Sequence, residues 1–233
     1  MPATAIVLAA GRGERLRPLT DQTPKPLLRV GGRRLIEHHL LALAAAGVKE
    51  AVINTAWLEE QFEPALGDGS ALGLRLRYSH EGRDHGGALE TAGGIAKALP
   101  LLAEAFWVVS GDVALPGFAF AADELAAFER SDLWASLWLV PNAPHHPQGD
   151  FGIDARGLAV REAAPRFTWA SVGLFKAQLF ADIAPGTRLP LRPLLERAID
   201  QRRLGARLWS GTWVDVGTQE RLRQAEQLLG SAR

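Results

Sequence analysis

The 233-residue chain contains no cysteine. That absence excludes disulfides, thiolate metal sites and cysteine nucleophiles. No apolar run approaches the ~18 residues a membrane-spanning helix needs, so no membrane association is expected. The N-terminus lacks a basic stretch, and its apolar run from Ala3 to Ala10 is short. It reads as a buried strand, not a secretion signal, which makes the cytoplasm the expected location. Charge of one sign is missing too: Lys+Arg and Asp+Glu both number 26. A nucleic-acid binder needs a basic surface, so nucleic acid is not an expected partner, although a locally basic pocket for one nucleotide fits the balance. Six histidines are present (His38, His39, His80, His85, His145 and His146), none in an HExxH pattern, so no zinc site is expected.

What is present is a hydrophobic content of 47%, enough for a large core. The length suits one α/β domain, read here as residues 1–233. Ile6-Val7-Leu8 is a short apolar run stopped by Gly11 and reads as a buried, parallel strand. Residues 33–46 read as a helix ended by Gly47, 51–53 as a strand, 56–66 as a helix, 74–78 as a strand and 89–99 as a helix ended by Pro100. Phe106 to Val109 is a fourth buried strand. The alternation predicts an α/β fold: a single Rossmann-like three-layer domain, its sheet mixed but mostly parallel, with helices on both faces. The second half is less regular. It reads as a strand at 133–140, a hairpin at 151–161 around Asp154 to Gly157, a strand at 167–175, a helix at 190–203, a short strand at Trp213-Val214 and a helix at 218–229.

The stretch Leu8-Ala9-Ala10-Gly11-Arg12-Gly13-Glu14-Arg15-Leu16-Arg17-Pro18-Leu19-Thr20 runs from a strand straight into a glycine-rich loop. Gly11 and Gly13 allow backbone N–H groups to approach an anion, and Arg15 is the best placed cation for a bidentate phosphate contact. The dinucleotide fingerprint requires a third glycine where Leu16 stands, and the P-loop requires a Gly-Lys-Ser/Thr ending, so both fail. A surface turn remains as the plain alternative for the loop taken alone. Close by, Pro24-Lys25-Pro26-Leu27 places a lysine between two prolines, which is expected to hold it extended as a stiff cationic arm. Ser110-Gly111-Asp112 follows the fourth strand. A carboxylate beyond the carboxyl end of a parallel strand is well placed for Mg²⁺ and phosphate.

Together, L-A-A-G-x-G-x-R-L-x-P-L-T and P-K-P-L closely resemble the opening signature of the sugar nucleotidyltransferases, or nucleotide-sugar pyrophosphorylases. The resemblance implies that the loop containing Leu8, Ala10, Gly11 and Gly13 wraps a triphosphate, with Arg15 and Lys25 as the catalytic cations. It implies a second metal ligand in Trp213-Val214-Asp215-Val216-Gly217-Thr218, so Asp112 and Asp215 become the expected Mg²⁺ pair. Residues 81–95 resemble the family's base-reading loop and the helix after it, which would put Glu81, Gly87 and Ala88 at the base edge. Gly93 and Gly94 in that helix reflect either a ligand or tight packing. On the sugar side the resemblance points to Asp150, which as an Asp in a hairpin turn also has a purely local explanation, to Ala170, and to Glu162. Glu162 lies in a segment where many members carry Glu-Lys-Pro. Here that segment is Arg161-Glu162-Ala163-Ala164-Pro165-Arg166; it lacks the lysine, leaving Arg161 or Arg166 to replace it.

The implied partners are UTP, or another nucleoside triphosphate, and a sugar 1-phosphate. The resemblance further implies N-acetylmuramate α-1-phosphate as the sugar phosphate and a place in peptidoglycan recycling. Other substrate pairs, such as mannose 1-phosphate with GTP, are alternatives. So is a non-catalytic nucleotide-sugar-binding protein, which is disfavoured because both aspartates, Arg15 and Lys25 are all retained. The chain ends soon after the last metal segment, so the acyltransferase domain that some relatives append is not expected.

Overall fold

Six of the seven strands in the main sheet run parallel, and one, antiparallel, is threaded between them. The structure is a computed structural model that describes residues 3–162 and 164–230. In chain order the strands are β1 (Thr4–Leu8), β2 (Arg29–Val30), β3 (Arg33–Arg34), β4 (Glu50–Thr55), β5 (Arg75–His80), β6 (Ala105–Ser110) and β7 (Val113–Ala114). There follow β8 (Ala135–Val140), β9 (Gly152–Ile153), β10 (Ala159–Val160), β11 (Thr168–Lys176), β12 (Leu204–Leu208) and β13 (Val214–Asp215). The helices are α1 (Leu19–Gln22), α2 (Leu35–Ala45), α3 (Phe62–Leu66), α4 (Glu81–His85), α5 (Glu90–Ala98), α6 (Ala122–Arg130), α7 (Arg192–Asp200) and α8 (Gln219–Gly230).

The main sheet has the order β12-β8-β11-β6-β1-β4-β5. Its central strands, such as β1 and β6, are apolar on both faces, because each face is covered. On one side Ala5, Val7, Ala51, Ile53 and Trp107 pack with Ile36, Leu40 and Leu43 of α2 and Phe128 of α6. On the other, Ile6, Val52, Phe106 and Val108 pack with Ile95 of α5 and Leu194 and Leu195 of α7. This is the three-layer α/β arrangement that the alternation predicts.

Three local expectations are corrected. Residues 56–66 do not form one helix. Leu58 takes a left-handed conformation at φ +48°, and only Phe62–Leu66 is α-helical. The helix read at 190–203 stops at Asp200, since Arg203 N–H bonds back to the Ala198 carbonyl and the chain leaves as β12, parallel to β8. Lys25 is not extended. Leu27 and Leu28 N–H bond to the Pro24 and Lys25 carbonyls, closing a single 3-10 turn over Lys25–Leu27.

A smaller cluster positions the site. Leu16 and Val30 near the N-terminus pack against Ala114 of β7, Val216, and Ala225 and Leu229 of α8. This contact ties the glycine-rich loop to the C-terminal segment, which is nearly 200 residues away in the chain.

Candidate active site

Leu8, Asn54 and Ser110 occupy matched register positions at the carboxyl ends of β1, β4 and β6. Ligands bind beyond this edge of an open α/β sheet. A cleft of about 380 Å³ lies there, lined among others by Leu8, Ala10, Gly11, Lys25, Ala88 and Asp112. Gly13 sits beside it at φ +68°, a conformation that glycine adopts without strain. Gly87 is half-buried just before Ala88.

Lys25 is buried, and its Nζ stands 2.5 Å from Asp112 Oδ2. Asp112 is held in turn by the chain's other end: Val216 N–H donates to the Asp112 carbonyl at 3.0 Å, and Asp215 pairs with Val113 across β7 and β13. The two aspartates therefore stand on adjacent, hydrogen-bonded segments. Asp215 faces a second cavity of about 560 Å³, which Arg15 also lines. Of the three loop arginines, Arg12 and Arg17 both pair with Asp21, and Arg12 also stacks on Trp57, 3.7 Å from the ring centroid. Arg15 is exposed and forms no ion pair among the described residues. Lys25 and Asp112 thus line the first cavity and Arg15 and Asp215 the second, on segments joined by the pairing of β7 with β13. This is an arrangement that can neutralise a polyphosphate.

Glu81 lies elsewhere. It has no exposed surface. Its carboxylate accepts from Asn54 Nδ2 at 2.6 Å and from Leu89 N–H at 2.7 Å, while Asn54 Oδ1 accepts from Ala9 N–H at 2.9 Å. Burial raises the Glu81 pKa, and these two hydrogen bonds oppose the rise. The chain Ala9–Asn54–Glu81–Leu89 braces the loop against the segment carrying Ala88. Glu81 is thus a buried brace, its carboxylate taken up by Asn54 and Leu89. Asn54 is the residue that sequence reasoning missed; the available signal was a polar side chain ending an otherwise apolar strand. The paired glycines of α5 reflect packing: a Cβ on Gly93 would lie 2.2 Å from the Thr187 carbonyl oxygen, and one on Gly94 would lie 2.3 Å from Glu81 Oε1.

The expected sugar-side residues are scattered. Asp150 is half-buried, accepts from Trp169 N–H at 2.8 Å and faces His146 at 3.2 Å. The Ala170 side chain is fully buried, so it does not line a cavity; its carbonyl accepts from Trp213 Nε1. Glu162 is exposed on a turn with no ion pair among the described residues. Neither proposed replacement for the missing lysine is free. Arg161 is tied to Glu196 and Asp200, and Arg166 donates to the Gly149 and Asp150 carbonyls.

Two further groups face Asp215. Arg221 of α8 pairs with it at 3.0 Å, and the same Nη1 meets His145 Nε2. Desolvation, then the Arg221 charge, lowers the His145 pKa. Deeper, His39 is fully buried with its pKa lowered to about 4, primarily by burial. Its Nε2–H donates to the Val113 carbonyl at 2.8 Å, directly behind Asp112.

No group of three or more His, Cys, Asp or Glu among the described residues could hold a metal by itself. Two carboxylates alone suit Mg²⁺, which keeps water and phosphate oxygens in its remaining positions. No helix among the described residues is long and apolar enough to cross a membrane.

The sequence profile described as "Nucleotidyl transferase" matches residues 4–231. The chain is 46% identical over 230 residues to the N-acetylmuramate alpha-1-phosphate uridylyltransferase of Neisseria meningitidis, covering 97% of this chain and 98% of that one. It is 34% identical to the enzyme of the same name from Caulobacter vibrioides, covering 99% and 98%. In fold it matches a Bacillus anthracis crystal structure, described as a candidate glucose-1-phosphate thymidylyltransferase in complex with a sucrose. The TM-score is 0.84 at 22% identity, over 99% of this chain and 97% of that one.

Proposed function

This chain belongs to the nucleotidyl transferase family, and we propose that it transfers UMP from UTP to N-acetylmuramate α-1-phosphate, releasing pyrophosphate. The class, sugar-1-phosphate nucleotidyltransferase, follows from relatives matched over nearly their whole length. The observation that supports the site assignment is that Lys25 and Asp112, in the cleft at the carboxyl edge of β1 and β6, are joined through the pairing of β7 with β13 to Asp215 and the cavity that Arg15 lines. The product, a UDP-sugar, fits peptidoglycan recycling in the cytoplasm.

An oxygen of the sugar phosphate attacks the α-phosphorus of UTP. The new P–O bond forms as the bond to the β-phosphate oxygen breaks, and pyrophosphate leaves with the electron pair. The attacking phosphate is already an anion at neutral pH, so no general base is required. The work of the protein is positioning and charge neutralisation. Backbone N–H groups around Gly11 and Gly13 cradle the triphosphate, Lys25 shields the α-phosphate beside Asp112, and Arg15 shields the departing end. Asp112 and Asp215 are the residues that would hold Mg²⁺, whose contribution is to screen phosphate charge as a Lewis acid. The brace through Asn54 and Glu81 holds the base-side wall at Ala88 in register with the loop.

The test is a pyrophosphate-release panel crossing UTP, GTP, CTP, ATP and dTTP with the 1-phosphates of N-acetylmuramate, N-acetylglucosamine, glucose and mannose. UTP with N-acetylmuramate 1-phosphate should give the highest kcat/KM. A higher value for GTP with mannose 1-phosphate would overturn the substrate assignment.

A further inference from the structure

We propose that Arg221 forms, with Arg15, a paired-guanidinium clamp that binds the pyrophosphate end of the nucleotide; this rests on the nucleotidyl-transfer reading above. Arg221 is only 9% exposed, yet it is incompletely satisfied. Its Nη1 serves both Asp215 and His145, while its buried Nε has no hydrogen-bond partner. Buried donors are seldom left unpaired in the absence of a ligand or an ordered water.

The position of Gly217 shows where the rest of the guanidinium points. A Cβ on Gly217 would lie 2.4 Å from Arg221 Nη2 and 2.7 Å from Arg15 Nη2. The two nitrogens therefore stand no more than about 5 Å apart. Two positive charges at that spacing repel unless counter-charge lies beside them. Asp215 compensates one of them, through Arg221. Glu220 also lines the cavity as a second carboxylate but is exposed and pairs with neither arginine. The cavity of about 560 Å³ therefore keeps two forked donors side by side, the Arg15 guanidinium and the Nη2 side of Arg221, since Asp215 engages only Arg221 Nη1. A forked guanidinium matches phosphate oxygens bidentately, and a diphosphate offers one group to each fork.

Position selects the diphosphate over the sugar phosphate. Asn54 and Ala88 line the first cleft, and on the transfer reading the base lies at Ala88. A triphosphate leading from there past Gly11 follows the loop to Arg15, so its β and γ groups arrive between Arg15 and Arg221. Arg221 also lies in the first turn of α8, the end at which the helix dipole favours negative charge.

The experiment is calorimetric titration of inorganic pyrophosphate, in metal-free buffer, into the wild-type chain and the Arg221→Met and Arg221→Lys variants. UMP and N-acetylmuramate 1-phosphate serve as separate probes, and thermal midpoints verify folding. Arg221→Met should weaken pyrophosphate binding ~10-fold or more, the scale of one charge-assisted contact, and leave the other two ligands within about 3-fold. Arg221→Lys should recover part of the loss. Should the Met variant fail to fold, the Lys variant carries the test through the same titration, in which it should bind pyrophosphate more weakly than the wild type and the other two ligands within about 3-fold. Unchanged pyrophosphate affinity in a folded variant, or a loss that falls instead on the sugar phosphate, overturns the clamp. If the wild type releases pyrophosphate while Arg221→Met binds it normally, only the clamp fails. If the wild type binds pyrophosphate through Arg221 but releases none in the substrate panel, only the transfer reading fails.

Discussion

Lys25 Nζ lies 2.5 Å from Asp112 Oδ2, so the buried lysine occupies the carboxylate that the proposed metal would use. Removing either partner removes a stabiliser of phosphate charge. Asp112→Asn and Lys25→Ala should each lower turnover by ~10²-fold or more, the scale of one lost electrostatic group. Steady-state pyrophosphate release measures this, and near-normal turnover in both variants refutes the assigned roles. Asp112→Asn also leaves the Lys25 charge without its carboxylate, so a lower thermal midpoint is expected for that variant.

Metal dependence should trace to both aspartates. Chelation by EDTA is expected to abolish pyrophosphate release and added Mg²⁺ to restore it. Asp215→Asn should raise the Mg²⁺ concentration needed for half activation by ~10-fold or more, since one of two protein carboxylates is lost. An unaltered Mg²⁺ titration curve in Asp215→Asn would remove this residue from the metal set.

Gly94→Ala should destabilise the fold. The added methyl would meet Glu81 Oε1 at 2.3 Å and Asn54 Nδ2 at 2.8 Å, splitting the hydrogen bond that braces the cleft. Overpacking of a tight interior costs about 1–3 kcal/mol. Thermal or denaturant unfolding reads the change directly, and KM for the nucleotide should rise with it. A midpoint equal to wild type would show that the brace yields without cost.

Stability should fall in mild acid because of His39. Its folded pKa is about 4, below the ordinary 6.5, because burial disfavours the imidazolium. Between these values the unfolded chain binds a proton that the folded chain does not. Stability is therefore fully present above pH 6.5 and declines as the pH falls toward 4, by about 3 kcal/mol at most. His39→Gln retains an N–H donor for the Val113 carbonyl and should flatten the dependence of the unfolding midpoint on pH across this window. An equally steep profile in the variant would assign the acid sensitivity to other groups.

The glycine-rich loop was legible because its signal is local: a strand, two glycines and Arg15 within a few residues. The same holds for Asp112, which follows directly on a buried apolar run, and for the alternation that predicts a covered, mostly parallel sheet. Elements with weak local signals were not legible. β12 reads Leu-Gly-Ala-Arg-Leu, without a β-branched residue, and becomes a strand only because β8 offers it a parallel partner. Helix α6 presents only Leu125 and Phe128 as buried residues. The conformation of Lys25 was misjudged because carbonyl acceptors one turn back outweigh the preference imposed by the following proline.

The sequence by itself determined which groups are available to meet a phosphate, since the order of glycines, Arg15, Lys25 and the two aspartates is fixed along the chain. Only the tertiary structure decided which of them meet. Packing of Leu16 against Val216 brings Arg15 within reach of Asp215 and Arg221, and strand pairing sets Asp215 beside Asp112. Burial made Glu81 a brace, its carboxylate taken up by Asn54 and Leu89. Contacts between residues about 200 positions apart leave no periodicity in the chain, because they arise from the burial of shared apolar surface and not from local backbone preference.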